Sequence, residues 1–467
     1  MHQSGWCMTL SVDSTPKKRA TTRAETWRQY TPQIKDPVES KKTHKASGYV
    51  HPEANCAFGR VLYNKLTKLA APGRWYSDSA GQGRGSSQWI GDGFLIERYT
   101  AILGYDIAGD VAKVGEGLQS FKVGDRVTAQ KALFLTEKHG DFVVNTRDIP
   151  TPAAGEILVQ VKGVALNPSD WKIRDYGVLI EEYPAILGSD VAGDVAKVGE
   201  GVQSFKVGDR VVFQGYFEND HAGFQQFITI PAEIVAKIPK SLTYSQAASI
   251  PLGLATAALG LFWTVGGASL NPNLDENIQY PGKPAVVIGG ATSVGQFAIQ
   301  LLKFVGFSPI ITYASGHHTE FLKTLGATDI IDRKSVAIQD LPTEVEKITD
   351  TPVRIVYDAV SQADTEEAGY ATLAEGGDLV LVLPSQIKNP VEGKKIHNVV
   401  GNVPQPDRAF GRVLYSKLTK FLEDGIIVPN RVEDLPNGLA GIADGLDRLR
   451  KDQVSGLKLI ALPHEPL

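Results

Sequence analysis

The chain has 467 residues, of which 42% are hydrophobic and 21% charged, with a formal net charge of −4. This length allows two or three domains, and the near-neutral charge gives no reason to expect nucleic acid or an anionic membrane as a partner. Cys7 and Cys56 are the only cysteines, which excludes a disulfide framework and a zinc site built on several thiolates. We expect a cytoplasmic protein, because no apolar run is long enough to span a bilayer and no signal peptide is evident.

The first part of the chain repeats two pieces of its later part. Residues 33–69 restate residues 386–421, and residues 93–130 restate residues 177–214. The two pieces come in reversed order, and no second nucleotide-binding turn lies between them, so a tandem domain or a solenoid is not indicated. We therefore expect residues 1–130 to be a disordered or fragmentary extension, left by gene fusion or by a wrong gene model. A regulatory or dimerisation module is the alternative.

The middle of the chain has the pattern of a small β-barrel. From Lys131 onwards, strand-like runs occur at residues 132–135, 141–144 and 157–164, and each is followed by turn residues. Residues 190–213 alternate glycine-containing turns with valine-rich strands. Many short strands at close spacing favour an irregular barrel.

After the barrel the pattern changes to alternating strands and helices. Residues 252–264 are apolar on nearly all sides and predict a buried helix. The alternation that follows predicts a parallel, doubly wound sheet with right-handed crossovers. Its predicted strands are 285–288, 309–313, 329–331, 353–357 and 378–383, and its predicted helices are 319–325, 343–349 and 364–374. Two further helices, 410–423 and 439–452, precede a last strand, 457–462, which we expect to return to the barrel.

A glycine-rich turn joins the first strand of this sheet to an amphipathic helix. The turn reads GGATSVG from Gly289 to Gly295. A strand, a glycine turn and a helix in this order direct free backbone N–H groups at a pyrophosphate, and glycine lets the backbone approach it closely. The expected cofactor-binding residues of the turn are Gly290, Thr292, Ser293, Val294 and Gly295.

Three stretches resemble the medium-chain dehydrogenase/reductase superfamily. They are Asn167–Lys172 (NPSDWK), Gly199–Val211 (GEGVQSFKVGDRV) and the turn at 289–295. The branch that they resemble is the zinc-free group of quinone reductases and fungal trans-enoyl reductases. The resemblance implies an α/β protein with two domains. A GroES-like β-barrel catalytic domain would comprise 131–255 plus 397–467, and a Rossmann NADP-binding domain would comprise 256–396.

The ligand pattern of the superfamily's zinc enzymes is missing. Those enzymes carry a cysteine just before a Ser/Thr-Asp step and a Gly-His-Glu triplet on the next turn. The matching stretches here are Asn167–Asp170 (NPSD) and Gly188–Asp190 (GSD), and residues 131–467 contain no cysteine. The histidines at 139, 221, 397 and 464 have no ligand spacing. We therefore expect no metal.

The end of the second strand of a nucleotide fold usually selects the cofactor. An acid there binds the ribose hydroxyls of NAD, and its absence leaves room for the 2′-phosphate of NADP. Residues 313–318 (YASGHH) contain no carboxylate, so we expect NADP(H). The candidate phosphate contacts are Ser315 and His317 or His318, with Lys303 and Lys458 as further cations. A polar turn without a ligand is the alternative.

The resemblance also implies residues near the nicotinamide and the substrate. Thr256 matches a position that contacts nicotinamide in relatives, although it could instead bond its own helix carbonyl. Asp358 ends a strand at the carboxyl edge of the sheet, where it could meet the cofactor or cap the following turn. Lys172 and Tyr176 are candidate proton donors and Asp170 a candidate catalytic residue, unless Asp170 and Lys172 only form a structural pair.

These features lead to one functional hypothesis with alternatives. Without a metal to polarise a carbonyl, the reduction of an activated C=C bond or a quinone by NADPH is more natural than alcohol oxidation. The substrate would be a small enone, quinone or enoyl compound, and the protein a monomer or homodimer. One alternative is a trans-acting enoyl reductase of polyketide synthesis, which would act on a carrier-protein-tethered chain. Another is a catalytically silent NADPH-binding protein.

Overall fold

The barrel begins earlier than the sequence indicated. A computed structural model describes residues 108–110, 126–405 and 408–465 of the chain. The predictions made for residues 1–107 and 111–125 lie outside this part. After strand β1 (Ala108–Asp110), strand β2 runs from Arg126 to Leu135 and crosses the predicted boundary between residues 130 and 131. Gln130 is fully buried and its amide bonds to Gln225, at 3.0 Å, and to the N–H of Phe227, at 2.6 Å. These contacts make residues 126–130 part of the barrel strand.

The predicted barrel of short antiparallel strands is confirmed. Most of its strands form a sheet in which β4 pairs with both β6 and β8, and β6 continues to β7 and β9, while β2 pairs with β3 and β5. The strands are β3 (Phe142–Asp148), β4 (Glu156–Ala165), β5 (Ala185–Ile186), β6 (Asp190–Val198), β7 (Arg210–Gln214), β8 (Phe227–Pro231) and β9 (Val235–Lys237). Helix α1 (Pro168–Tyr176) follows β4 directly.

The predicted doubly wound sheet is also confirmed. Six parallel strands lie in the order β12-β11-β10-β13-β14-β15, so the strand order reverses between β10 and β13. Ligands of such sheets bind at the carboxyl ends of the strands where this reversal occurs. The strands are β10 (Ala285–Ile288), β11 (Ile310–Ala314), β12 (Asp329–Asp332), β13 (Ile355–Asp358), β14 (Asp378–Leu381) and β15 (Lys395–Asn398). Strand β15 was not predicted, because the sequence KIHN is polar at three of its four positions.

Helices cover the faces of this sheet and connect it to the barrel. The connecting helices are α2 (Tyr244–Ala248) and α3 (Pro251–Phe262), and those of the sheet are α4 (Ser293–Phe304), α5 (Thr319–Leu325), α6 (Leu341–Glu346) and α7 (Ala363–Thr372). The segment Tyr244–Phe262 is long and apolar enough to cross a membrane, but it is 83% buried inside the protein. It is therefore a core segment, as its all-round apolar pattern predicts.

The last part of the chain returns to the barrel. Helix α8 (Arg408–Glu423), strand β16 (Val432–Asp434), helix α9 (Ile442–Arg450) and strand β17 (Lys458–Ala461) follow the nucleotide-binding sheet. Strand β17 pairs with β4 in antiparallel orientation, with Ile460 opposite Ala165. The prediction that the final strand rejoins the barrel is thus confirmed.

Candidate functional site

The glycine turn after β10 has no space for side chains at two positions. A Cβ atom on Gly290 would lie 2.0 Å from Oγ1 of Thr312, and one on Gly295 would lie 2.3 Å from the carbonyl oxygen of Gly289. Thr292 caps helix α4, since its Oγ1 accepts a hydrogen bond of 3.0 Å from the N–H of Gly295. The turn thus has the tight packing at its glycines that the strand–turn–helix pattern predicts.

The two residues after the cap begin helix α4. The first turn of an α-helix leaves its N–H groups without helical acceptors, so those of Ser293 and Val294 can serve as anion donors. The Ser293 hydroxyl donates to Oδ1 of Asn430 at 2.5 Å, and the Asn430 amide donates to Gln296 at 2.9 Å. The Ser293 hydroxyl therefore anchors helix α4 to the segment before β16. The predicted role of Ser293 in cofactor binding rests on its backbone N–H instead.

A cation that the sequence analysis missed, Arg333, lies beside the end of β11. Ser315 is only 5% exposed, and its Oγ accepts a hydrogen bond of 2.7 Å from Nε of Arg333. Arg333 follows β12, and the parallel pairing of Ala314 with Asp332 places it beside Ser315. The same pairing brings a carboxylate, because Oδ1 of Asp332 accepts the N–H of Gly316 at 2.9 Å. The charged groups beside the end of β11 therefore come from the end of the neighbouring strand, β12.

The two adjacent histidines have different surroundings. His318 is 4% exposed; Arg431 donates to its Nδ1 at 3.0 Å, which leaves Nε2 to donate to Oγ of Ser455 at 3.0 Å. Burial, together with the charge of His317 and Arg431, lowers the pKa of His318 to about 4, so the ring is neutral near pH 7. His317 is exposed, and its ring centroid lies 3.8 Å from that of His318. Of the two, His317 is the one accessible to a ligand.

Both lysines that were suggested as phosphate contacts lie elsewhere. Lys303 is near the end of helix α4, roughly 15 Å along the helix from the glycine turn, where it packs along Gly326. Lys458 is in β17 and 5% exposed, with its Nζ 2.8 Å from Oδ2 of Asp190 and 2.6 Å from Oδ1 of Asn167. The prediction that Lys458 meets the 2′-phosphate therefore needs correction, because its charge is already committed to a buried carboxylate.

Thr256 makes the alternative contact that the sequence allowed. Its hydroxyl donates to the carbonyl oxygen of Leu252 at 2.7 Å, one turn earlier in α3. Gly401 lies directly against it, since a Cβ atom there would be 1.9 Å from Oγ1 of Thr256. The Thr256 carbonyl accepts a hydrogen bond of 2.9 Å from the hydroxyl of Tyr357 on β13. Thr256 therefore joins α3 to the sheet through its carbonyl, and its hydroxyl hydrogen is used within α3.

Asp358 caps the turn after β13. The side chain is completely buried, and its Oδ1 accepts the N–H groups of Val360 and Ser361, each at 2.9 Å. Its Oδ2 accepts the hydroxyl of Thr365 at 2.7 Å. Burial is the main cause that raises the pKa of Asp358. Both oxygens are thus engaged inside the protein, in the capping role that the sequence also allowed.

Helix α1 carries the three predicted catalytic residues in two different environments. Asp170 is fully buried; its Oδ2 accepts the N–H of Asn167 at 2.8 Å, and its Oδ1 has no hydrogen-bond partner among the described residues. Burial, with a contribution from the charge of Asp190, raises the pKa of Asp170 to about 7. Lys172 and Tyr176 are half-buried next to Trp171, whose ring centroid is 5.8 Å from the Tyr176 ring and 5.8 Å from Nζ of Lys172. Of the three, only Lys172 and Tyr176 have exposed side-chain surface.

The residues at the position of the relatives' metal do not fit zinc. Asn167 and Ser189 stand where the zinc enzymes of the superfamily have a cysteine and a histidine. The Lys458 ammonium group occupies the space beside Asp190. Across the part of the chain that the structure describes, no group of three or more His, Cys, Asp or Glu side chains is arranged to hold a metal. An amide, a hydroxyl and an ammonium group are a poor donor set for Zn²⁺.

Two family models match more than half of the chain. The alcohol dehydrogenase GroES-like domain matches residues 75–145 and 153–240, and the zinc-binding dehydrogenase family matches residues 293–397. A trans-enoyl reductase of Penicillium, grgB, is 31% identical over 359 residues, which cover 71% of this chain and 98% of the relative. The chain belongs to the medium-chain dehydrogenase/reductase superfamily, in the zinc-free branch of quinone reductases and trans-enoyl reductases.

Solved structures agree with this assignment. An alcohol dehydrogenase superfamily protein from Novosphingobium aromaticivorans is 26% identical with a TM-score of 0.59, over 71% of this chain and 99% of that one. A mycobacterial quinone oxidoreductase is 25% identical with a TM-score of 0.57, over 72% of this chain and 100% of that one. The protein is an oxidoreductase with a nicotinamide cofactor site.

Proposed function

We propose that the protein is a zinc-independent reductase that uses NADPH to reduce an activated C=C bond or a quinone. The observation that carries this proposal is the ammonium group of Lys458 beside Asp190, a residue of the stretch that matches the Gly-His-Glu ligand triplet of the superfamily's zinc enzymes. Without a Lewis acid, an alcohol or a simple carbonyl is poorly activated, whereas an enone or quinone accepts a hydride at a carbon conjugated to the oxygen. The similarity to a trans-enoyl reductase and a quinone oxidoreductase supports the same substrate class.

The preference for NADPH rests on the charges at the end of β11. Arg333 retains its terminal guanidinium nitrogens for a phosphate while its Nε holds Ser315, and exposed His317 lies two residues further along. The nearby carboxylate of Asp332 already accepts the N–H groups of Gly316 and Lys334, at 2.9 and 3.0 Å. A 2′-phosphate would therefore meet an arginine, which binds phosphate in a fork of N–H donors.

The chain's own residues would have three tasks in the reaction. Bound NADPH would supply the hydride. The N–H groups at the start of α4 would hold the pyrophosphate, and Arg333 with Ser315 would hold the adenosine end. Lys172 or Tyr176 would donate a hydrogen bond or a proton to the substrate oxygen as negative charge develops there. Fully buried Asp170 has no access to the substrate in this arrangement.

The test is oxidation of NADPH by the full-length protein with a panel of quinones, enones, enoyl thioesters and a carrier-protein-bound enoyl chain, with and without a zinc chelator. We expect turnover that the chelator leaves unchanged, and a low rate with NADH. Loss of activity with the chelator would overturn zinc independence. Activity confined to a carrier-bound enoyl chain would identify a trans-acting enzyme, and tight NADPH binding without turnover would favour a silent binding protein. A cytoplasmic monomer or homodimer remains part of the proposal.

A further inference from the structure

One buried carboxylate touches three elements of the fold. Asp190, at the start of β6, is completely buried. Its Oδ1 accepts the N–H of Leu252 at 2.6 Å, and its Oδ2 accepts the amide of Asn167 at 3.0 Å and lies 2.8 Å from Nζ of Lys458. Asn167 in turn accepts Nζ of Lys458 at 2.6 Å. We call these side chains, Asn167, Asp190 and Lys458, the Asp190 cluster.

The cluster lies at the N-termini of two helices. Asn167 is the residue that caps α1, and Leu252 is the second residue of α3, after Pro251. Proline has no N–H, so the Leu252 N–H is the first donor that α3 offers. A carboxylate is favourable at a helix N-terminus because it meets unpaired N–H groups and the positive end of the helix dipole. A single carboxylate thus contacts the N-cap side chain of α1 and the first free N–H of α3.

The two helices carry residues of two different regions of the proposed site, one for the substrate and one for the cofactor. Helix α1 carries Lys172 and Tyr176, the candidate donors to the substrate oxygen. Helix α3 is bonded to the nucleotide-binding sheet through the hydroxyl of Tyr357 and the carbonyl of Thr256, at 2.9 Å. Any change in the angle between α1 and α3 would therefore move the proton donors relative to the cofactor side.

We propose that Asp190 is a positioning residue: with Asn167 and Lys458 it holds α1, which carries the proton donors, in register with α3 on the cofactor side. This inference rests on the proposed reductase function. The role is distinct from simple stabilisation, because a buried ion pair can generally be replaced by uncharged side chains of similar size with little loss of stability. The relative placement of α1 and α3, in contrast, would be lost with the contacts that Asp190 makes to both helices.

The main experiment therefore removes both charges together. In the double variant Asp190→Leu/Lys458→Met, the ion pair is lost together with the acceptor of the Leu252 N–H and of the Asn167 amide. We expect a folded protein with an NADPH Kd within about twofold of wild type. We expect kcat to fall about a hundredfold, the loss that a misplacement of about 1 Å can cause. The matched control is Asp209→Asn/Lys237→Met, which removes a barrel ion pair of 2.9 Å that contacts neither α1 nor α3, and should leave kcat unchanged. A folded Asp190 double variant with kcat within about twofold of wild type would refute the proposal.

A second variant covers the case in which the double variant does not fold. Asn167→Ala removes the link to α1 but leaves the Lys458–Asp190 pair and the bond to α3. We expect kcat to fall about tenfold with an unchanged NADPH Kd, because only the substrate side loses its anchor. An equal loss of NADPH affinity, or no change in kcat, would contradict a positioning role.

Amide hydrogen exchange separates this inference from the proposed function. If the wild-type protein has no turnover on any substrate, the reductase proposal fails. The geometric claim is then tested by exchange at the first turns of α1 and α3, which should become faster in Asn167→Ala for α1 only. In the double variant both first turns should exchange faster. Unchanged exchange in both variants would refute the positioning role independently of catalysis.

Discussion

The contact between Arg333 and Ser315 makes a quantitative prediction for cofactor choice. Arg333→Ala removes the cation that would bind the 2′-phosphate of NADPH. A charge-assisted hydrogen bond contributes about 1.5–3 kcal/mol, and the exposed position of Arg333 places it near the lower part of that range. About 2 kcal/mol corresponds to a roughly 30-fold loss of NADPH affinity. NADH has no 2′-phosphate, so its affinity should stay within about twofold.

The assay is fluorescence titration of the wild type and the variant with both cofactors at low and high salt. The NADPH affinity of the wild type should fall with salt more steeply than that of the variant, because screening weakens an exposed phosphate contact. Lys334→Ala is the matched control, since it removes the next exposed cation, which has no contact with Ser315. Equal weakening of NADPH and NADH by Arg333→Ala would refute the assignment of Arg333 to the 2′-phosphate.

Three further predictions follow from buried contacts. In Gly295→Ala, the new Cβ would lie 2.3 Å from the Gly289 carbonyl oxygen, so the backbone of the turn must shift. We expect this shift to abolish NADPH binding in a titration, and binding within about threefold of wild type would contradict a tight turn. Burial raises the pKa of Asp170 from 3.8 to about 7, so the folded state favours its protonated form. Its contribution to the free energy of unfolding is therefore greatest below pH 4 and falls as the pH rises to about 7. Subtracting the denaturation profile of Asp170→Asn from that of the wild type should isolate this slope, and a flat difference would contradict it. The Ser361 hydroxyl accepts the N–H of Val382 at 2.9 Å, and Ser361→Ala leaves this N–H without its acceptor. The free energy of unfolding, measured by urea denaturation, should therefore fall by about 1–3 kcal/mol. No change would mean that water replaces the hydroxyl.

Elements with a strong local pattern were predicted closely. Helix α5 has the predicted bounds, Thr319–Leu325, and the glycine turn leads into α4 as expected. In both cases the sequence pattern that predicts the element lies within a few neighbouring residues. For α5 the pattern is helical periodicity, and for the turn it is the requirement for glycine. Strand β15 was missed because its KIHN sequence has no local strand signal. It is a strand only because it pairs with β14.

Residues with two possible roles were decided by packing. For Thr256 and Asp358 the sequence allowed a ligand contact or a local hydrogen bond, and the structure shows the local bond in each case. Asp170 was expected at a reaction site but lies fully buried. The number of polar partners around a side chain depends on which distant elements surround it, and local sequence does not contain that information.

The sequence by itself determined the superfamily, the barrel with its inserted nucleotide fold, and the glycine turn, since these depend on periodicity and on steric demands between near neighbours. Only the tertiary structure decided which charges meet. Arg333 reaches Ser315 because β11 and β12 pair in parallel, and Lys458 reaches Asp190 because β17 returns to β4 from the far end of the chain. Electrostatic interactions act through space, so residues hundreds of positions apart form one group only after the strands have paired.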